Sequence, residues 1–283
     1  MPVRARVHPR VPSWQRAGRP DEERIGRGTR HNTAVNGFAV ECRALRKTYG
    51  DVVAVDDLTL TVARGECFGL LGPNGAGKTT TIEILEGLNA PDAGDVQVLG
   101  LRWATDEREL RQRLGIQLQE TQLPDKLTVV ETLRLFRSFY DRGPGVDELL
   151  QVVELEAKRD GRVGKLSGGQ KQRLSLACSM AGAPDLLFLD EPTTGLDPQS
   201  RRQLWETLRR FRAGGGTILL TTHYMDEAET LCDRVAIVDR GRVIALGTPA
   251  ELIGALAAPE IVVRHGTLED VFMSLTGRHL RDD

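Results

Sequence analysis

Gly72-Pro73-Asn74-Gly75-Ala76-Gly77-Lys78-Thr79-Thr80 stands between the apolar run Cys67 to Leu71 and a stretch of helical periodicity that begins near Lys78. These nine residues satisfy the pattern G-x-x-x-x-G-K-[ST] in the strand, loop, helix order that it requires. Glycines at this spacing let successive backbone N–H groups curl around phosphate oxygens, and the N-terminus of the following helix adds partial positive charge. Lys78 is spaced to bridge the β- and γ-phosphates of a nucleoside triphosphate, Thr79 to ligate Mg²⁺ and Thr80 to donate to the α-phosphate. The loop lacks the G-x-G-x-x-G spacing of a dinucleotide site.

Working outward, short β-branched or apolar runs alternate with helical stretches from Phe38 onward: Leu58 to Val62, Cys67 to Leu71, Val96 to Leu99, Leu186 to Asp190, Ile218 to Thr221 and Val235 to Val238. Leu186-Leu187-Phe188-Leu189 and Ile218-Leu219-Leu220 are continuous apolar strands of the kind buried between helices, so the class is α/β. Between about Glu120 and Ala183 helical spacing takes over, with Leu133, Phe136 and Tyr140, then Val146, Leu149, Leu150 and Val153. Pro198 opens a helix whose Leu204, Trp205, Leu208 and Phe211 are read as core, and it closes at Gly214-Gly215-Gly216. Thr267-Leu268-Glu269-Asp270 has the form of a capping box, and Leu268, Val271, Phe272 and Leu275 share one apolar face of a short helix, expected to dock on its own domain or on a partner.

The 283 residues divide into a tail at 1–36, a domain at 37–250 with a helical insertion at about 120–183, and an extension at 251–283 carrying that short helix. The tail is rich in Arg, Pro and Gly and too poor in apolar residues to offset the entropy of ordering, so disorder is expected. An electrostatic arm toward anionic lipid, or an extension from an upstream start codon, are the other readings of it. Formal net charge is -2, with eight arginines and three acids in the tail, so the rest is mildly acidic and no nucleic-acid partner is expected. No apolar run approaches a bilayer span, and no signal-peptide core follows Met1. Cys42, Cys67, Cys178 and Cys232 are scattered, which fits reduced core thiols.

Leu186-Leu187-Phe188-Leu189-Asp190-Glu191 ends a buried strand in two acids at the carboxyl edge of the sheet, where the phosphates of an α/β site lie. Asp190 is placed to hold Mg²⁺, directly or through water. Glu191, one residue on and so pointing the other way, is placed to orient and deprotonate an attacking water. Upstream, Leu166-Ser167-Gly168-Gly169-Gln170, followed by Lys171-Gln172-Arg173, opens a helix with a second backbone anion site, Ser167 and the N–H groups after it facing outward.

With that segment in place the chain resembles the nucleotide-binding subunit of ATP-binding cassette (ABC) transporters, from about Phe38 to Gly247. The resemblance implies a RecA-like P-loop NTPase core with an antiparallel β subdomain and an inserted α-helical subdomain. It implies ATP and Mg²⁺ as cofactors, and two copies associated head to tail, each ATP lying between the phosphate loop of one and Ser167, Gly168, Gly169 and Gln170 of the other. Tyr49, by itself equally a core tyrosine, looks like the aromatic that stacks on adenine. Gln119 is similar to the glutamine that reaches Mg²⁺ and the attacking water beside the permease, with Gln117 the less favoured candidate. Asp197, in Gly195-Leu196-Asp197, resembles the aspartate that crosses the dimer interface, and His223 the switch histidine that contacts the γ-phosphate and holds Glu191. With Glu191 and His223 both present, hydrolysis is expected and not a nonhydrolytic nucleotide switch.

A separate membrane permease, at the cytoplasmic face of a bacterial membrane, is the implied partner. The alternative is a soluble ABC ATPase of repair, translation or cluster assembly; a single phosphate loop and the absence of cysteine pairs or heptads weigh against it. A P-loop kinase does not account for Leu166 to Gln170. The stretches Gly115 to Glu120, Leu127 to Leu133 and Thr267 to Gly277 look like the ABC-2 type drug and antibiotic exporters. Many such proteins carry a longer segment before the last helix than the roughly fifteen residues present here.

Overall fold

A computed structural model describes residues 37–117, 122–255 and 267–276. The tail at 1–36, Gln119 and the remainder of the C-terminal extension lie outside the described residues.

Two sheets form. Strands β1 (Phe38–Tyr49), β2 (Val52–Ala63) and β4 (Ala93–Val98) make an antiparallel sheet in the order β2-β1-β4. The larger sheet runs β5 (Leu114–Gln117), β6 (Leu186–Asp190), β7 (Thr217–Thr222), β3 (Cys67–Leu71), β8 (Arg234–Asp239), β9 (Arg242–Gly247). It is parallel except for β9, which returns antiparallel on β8 through Arg240 and Gly241, both at positive φ. Helices α1 (Lys78–Leu85) and α2 (Trp103–Arg113) follow β3 and β4, and α3 (Val129–Arg137), α4 (Val146–Val152) and α5 (Gly168–Ser179) form the insertion between β5 and β6. Helices α6 (Pro198–Ala213), α7 (Met225–Leu231), α8 (Pro249–Gly254) and α9 (Leu268–Thr276) complete the described chain.

The continuous apolar character of β6 has a direct cause, because both of its faces are covered. Leu186 and Phe188 meet α1 and the antiparallel sheet, in a core with Phe68, Leu70, Ile82, Leu85, Leu45 and Leu58. Leu187 and Leu189 face the insertion and the later helices, in a second core with Leu133, Leu149, Leu174, Leu208 and Phe272. The indole of Trp103 covers the end of α1, donating from Nε1 to the Leu85 carbonyl (2.9 Å).

The last helix docks on its own chain: Leu268, Val271 and Phe272 are buried, and the Leu268 N–H donates to the Glu229 carboxylate of α7 (2.7 Å). The Thr267–Asp270 capping box is formed. Leu275 departs from the expected buried face and is 46% exposed, because the face covered by α7 and α8 ends at Phe272. Tyr140 also departs, lying beyond the end of α3, where its ring packs on Gly182.

Phe188→Ala removes a fully buried ring from the strand that divides the two cores. Urea denaturation should show a loss of about 3–5 kcal/mol in unfolding free energy.

Candidate functional site

The strand order β6-β7-β3 brings three strand ends side by side. The 72–77 loop leaves β3, Asp190 and Glu191 end β6, and His223 follows β7. Active sites of open α/β sheets sit at such carboxyl edges.

The loop is shaped by backbone requirements. Gly75 and Gly77 have φ of 75° and 98°, in the left-handed region. A Cβ on Gly77 would lie 2.2 Å from the Ala54 carbonyl oxygen, and one on Gly72 2.3 Å from that of Val238. The concave face is therefore lined by backbone, as a phosphate group requires. Lys78 is buried and donates from Nζ to the carbonyls of Gly72 (2.8 Å) and Pro73 (3.0 Å). Burial lowers its pKa, opposed by the carboxylates of Glu191 and Asp190. Asn74, Gly75 and Thr79 are exposed, while Pro73 and Ala76 are buried. Thr80 is half-buried.

Asp190 is pushed up by burial, opposed by the Thr221 hydroxyl that donates to it. A cation would favour the charged form of Asp190, and a carboxylate and the exposed Thr79 hydroxyl are hard-oxygen donors of the kind that suits Mg²⁺. Glu191 does not simply continue the strand's alternation, as expected from sequence. Its φ is 48°, and its N–H donates to the Thr221 hydroxyl (3.0 Å). A non-glycine residue in that conformation is held by its surroundings. Its carboxylate meets His223, Oε1 lying 3.2 Å from Nδ1, and accepts from the Thr194 hydroxyl at Oε2 (3.1 Å). The His223 hydrogen bond is the main reason the Glu191 pKa falls, against the rise from burial. An ionised acceptor next to an imidazole can align a water and take its proton.

Ser167 caps α5, accepting from the Gln170 N–H (3.3 Å), while Gln170 Oε1 accepts the Ser167 N–H (3.0 Å). Ser167 and Gly168 are exposed as expected, but Gly169 is buried, since a Cβ there would lie 2.4 Å from the Ser200 hydroxyl. Asp197 caps α6, accepting the N–H groups of Gln199 and Ser200 and the Ser200 hydroxyl. Tyr49 ends β1 as an exposed residue (47%), the Lys47 ammonium 5.5 Å from the ring centre and the Asn89 amide donating to its hydroxyl. Among the described residues no hydrogen bond or ion pair joins the Lys78 loop to the Ser167 segment.

These features recur in known proteins. The family described as "ABC transporter" matches residues 55–194. The Nod factor export ATP-binding protein I of Burkholderia lata is 46% identical over 232 residues, 80% of this chain and 76% of that one. The chain belongs to the ATP-binding subunits of ABC transporters. It is an ATPase, with hydrolysis coupled to transport. The Cupriavidus pinatubonensis protein of the same name is 40% identical over 86% of this chain and 92% of its own. An ATP-binding subunit of an ABC transporter superposes with a TM-score of 0.75 at 32% identity, covering 84% of this chain and 99% of that one. A dimeric, post-hydrolysis ATP-binding cassette bound to ADP and Pi superposes with a TM-score of 0.67 at 27% identity, covering 74% and 98%.

Two acids escaped the reading of motifs. Gln117, the less favoured candidate beside Gln119, proves buried with neither amide atom hydrogen-bonded among the described residues, but Glu86 and Glu227 belong to no motif at all. The one sequence signal for Glu86 is an acid placed directly after the apolar pair Ile84-Leu85. Glu86 has no exposed surface, and among the described residues neither carboxyl oxygen has a hydrogen-bond partner. Burial, then the charges of Asp190 and Glu83, raise its pKa to about 8. The folded chain thus holds a proton that the unfolded chain releases above about pH 4.5, so stability falls as pH rises through the window up to about 8. Glu86→Gln should raise the melting temperature relative to the parent at pH 9 and change it little at pH 4.5; an equal difference at both would contradict the assignment.

Proposed function

We propose that this chain binds MgATP between two copies of itself and hydrolyses it to drive export through a separate ABC-2 type permease at the cytoplasmic face of a bacterial membrane. The exported compound is proposed to be a drug, an antibiotic or another small hydrophobic molecule. The observation that carries the chemistry is the Glu191–His223 pair, 3.2 Å apart, at the edge shared with the Lys78 loop. In this reading Gly72 to Thr80 hold the phosphates, Tyr49 stacks on adenine, and Thr79 and Asp190 hold Mg²⁺ with Gln119. Mg²⁺ held there would supply neutralisation of phosphate charge, while Lys78 exchanges its loop carbonyls for the β- and γ-phosphates and Glu191 orients and deprotonates the water. His223 keeps Glu191 ionised and in place.

Several observations support a second copy. Ser167 and Gly168 are exposed at a helix N-terminus and unconnected to their own chain's phosphate loop, and dimeric cassettes share the fold. Export is supported by the names of the similar proteins. For a permease partner, no described helix is long and apolar enough to cross a membrane. A groove of about 520 Å³ between α2 and the insertion, lined by Trp103, Arg111, Phe136, Phe139 and Tyr140, suits a short docking helix; Phe139 is 61% exposed.

Glu191→Gln should lower ATP turnover by at least about 10²-fold and accumulate an ATP-bound dimer on size exclusion; a variant that hydrolyses normally and stays monomeric with ATP refutes the reading. Phe139→Asp should reduce recovery of the chain with permease-containing membranes about tenfold. Unchanged recovery would remove this groove as the docking surface.

A further inference from the structure

The reaction assigned above makes no use of Glu227, yet this acid is wholly buried in the first turn of α7. Its Oε1 accepts the indole N–H of Trp205 (2.9 Å). Burial raises its pKa, and the hydroxyl of Thr222, the Trp205 indole, the hydroxyl of Thr193 and the charge of Arg201 draw it back down. Among the described residues neither Oε2 nor the Thr193 hydroxyl completes a hydrogen bond, so the geometric anchor of the carboxyl is the Trp205 indole. A carboxyl taken out of water at such cost is poor material for stability alone, since an apolar side chain would pack there more cheaply.

The groups gathered around it come from three segments. Thr193 lies two residues beyond Glu191 and is itself fully buried. Thr222 immediately precedes His223, and its oxygen also accepts the Tyr224 N–H (2.9 Å). Trp205 belongs to α6, the helix capped by Asp197. Arg201 of the same helix pairs with Asp226 (3.1 Å) and lies 4.4 Å from the ring centre of Tyr224, which in turn is 4.2 Å from that of His223.

We infer that Glu227 is a positioning residue for ATP hydrolysis: by gathering Thr193, Thr222 and Trp205 it holds Glu191 and His223 in register and ties both to the helix that Asp197 caps. The inference rests on the proposed roles of Glu191 and His223. Nucleotide affinity lies with the Lys78 loop, on the other side of β7, and is independent of this junction; turnover depends on it.

The test compares Glu227→Ala, Glu227→Gln and Trp205→Phe in the full chain, with kcat and KM for MgATP, ADP affinity by titration, and kcat expressed per nucleotide-binding site. Glu227→Ala should lower kcat about tenfold or more while KM and ADP affinity stay within about twofold. Glu227→Gln keeps an acceptor for the indole and should restore kcat to within about threefold of the parent. Trp205→Phe, which removes only the N–H partner, should lower kcat about threefold at unchanged KM, and decides the matter if the alanine variant fails to fold. An alanine or phenylalanine variant with parental kcat per binding site overturns the inference, as does a loss that appears equally in ADP affinity. Glu191→Gln is run alongside: hydrolysis surviving there shows that the catalytic reading itself has failed, whereas its loss beside an active Glu227→Ala sinks only the role of Glu227.

Discussion

Parallel pairing of β3, β6 and β7 in one register is the constraint from which the site follows. Asp190 is opposite Thr221, and Thr222 is opposite Leu71, so the residues that come next in each strand emerge at one level. A shift of one residue in the β6–β7 pairing would exchange the core faces of the shifted strand and separate Glu191 from His223. The register is held by apolar side chains on both faces of the sheet. Packing of Phe188 and Leu219 on one side and Leu189 and Leu220 on the other thereby sets the distance between two polar residues they do not touch.

The polar edge is organised by competition between burial and charge. Lys78, Asp190 and Glu191 are close enough to shift one another, and only Glu191 ends below the usual carboxylate range, through His223. Asp190 and Glu86 both go up, chiefly because burial disfavours their charged forms and neighbouring carboxylates add to the rise. A carboxylate held in its charged form thus stands beside a buried acid whose charge is disfavoured, the arrangement in which an added divalent cation has most effect.

Much of this was legible in the chain. Cys67–Leu71 and Leu186–Asp190 appear as strands with the bounds read from sequence, because a strand buried on both faces leaves an unbroken apolar run. The motif residues were legible because phosphate loops and strand-end acids use local spacing. Strand β1 was not, since its pairing slips between Cys42 and Leu45, where Ala44 takes φ of 51°, and the alternation of apolar residues breaks there. The left-handed backbone of Glu191, the burial of Gly169 against Ser200 and the junction at Glu227 arise from contacts between segments distant in sequence, which no single-chain pattern encodes.

The docking of α9 gives the catalytic half of the molecule a cover that is chemically unrelated to catalysis. All of the motif residues lie before Gly247, so a chain cut there would keep every one of them. It would also uncover the apolar surface on which Leu268, Val271 and Phe272 rest. Its defect would then be colloidal, an adhesive flank on an otherwise complete enzyme, and low solubility would be mistaken for low activity.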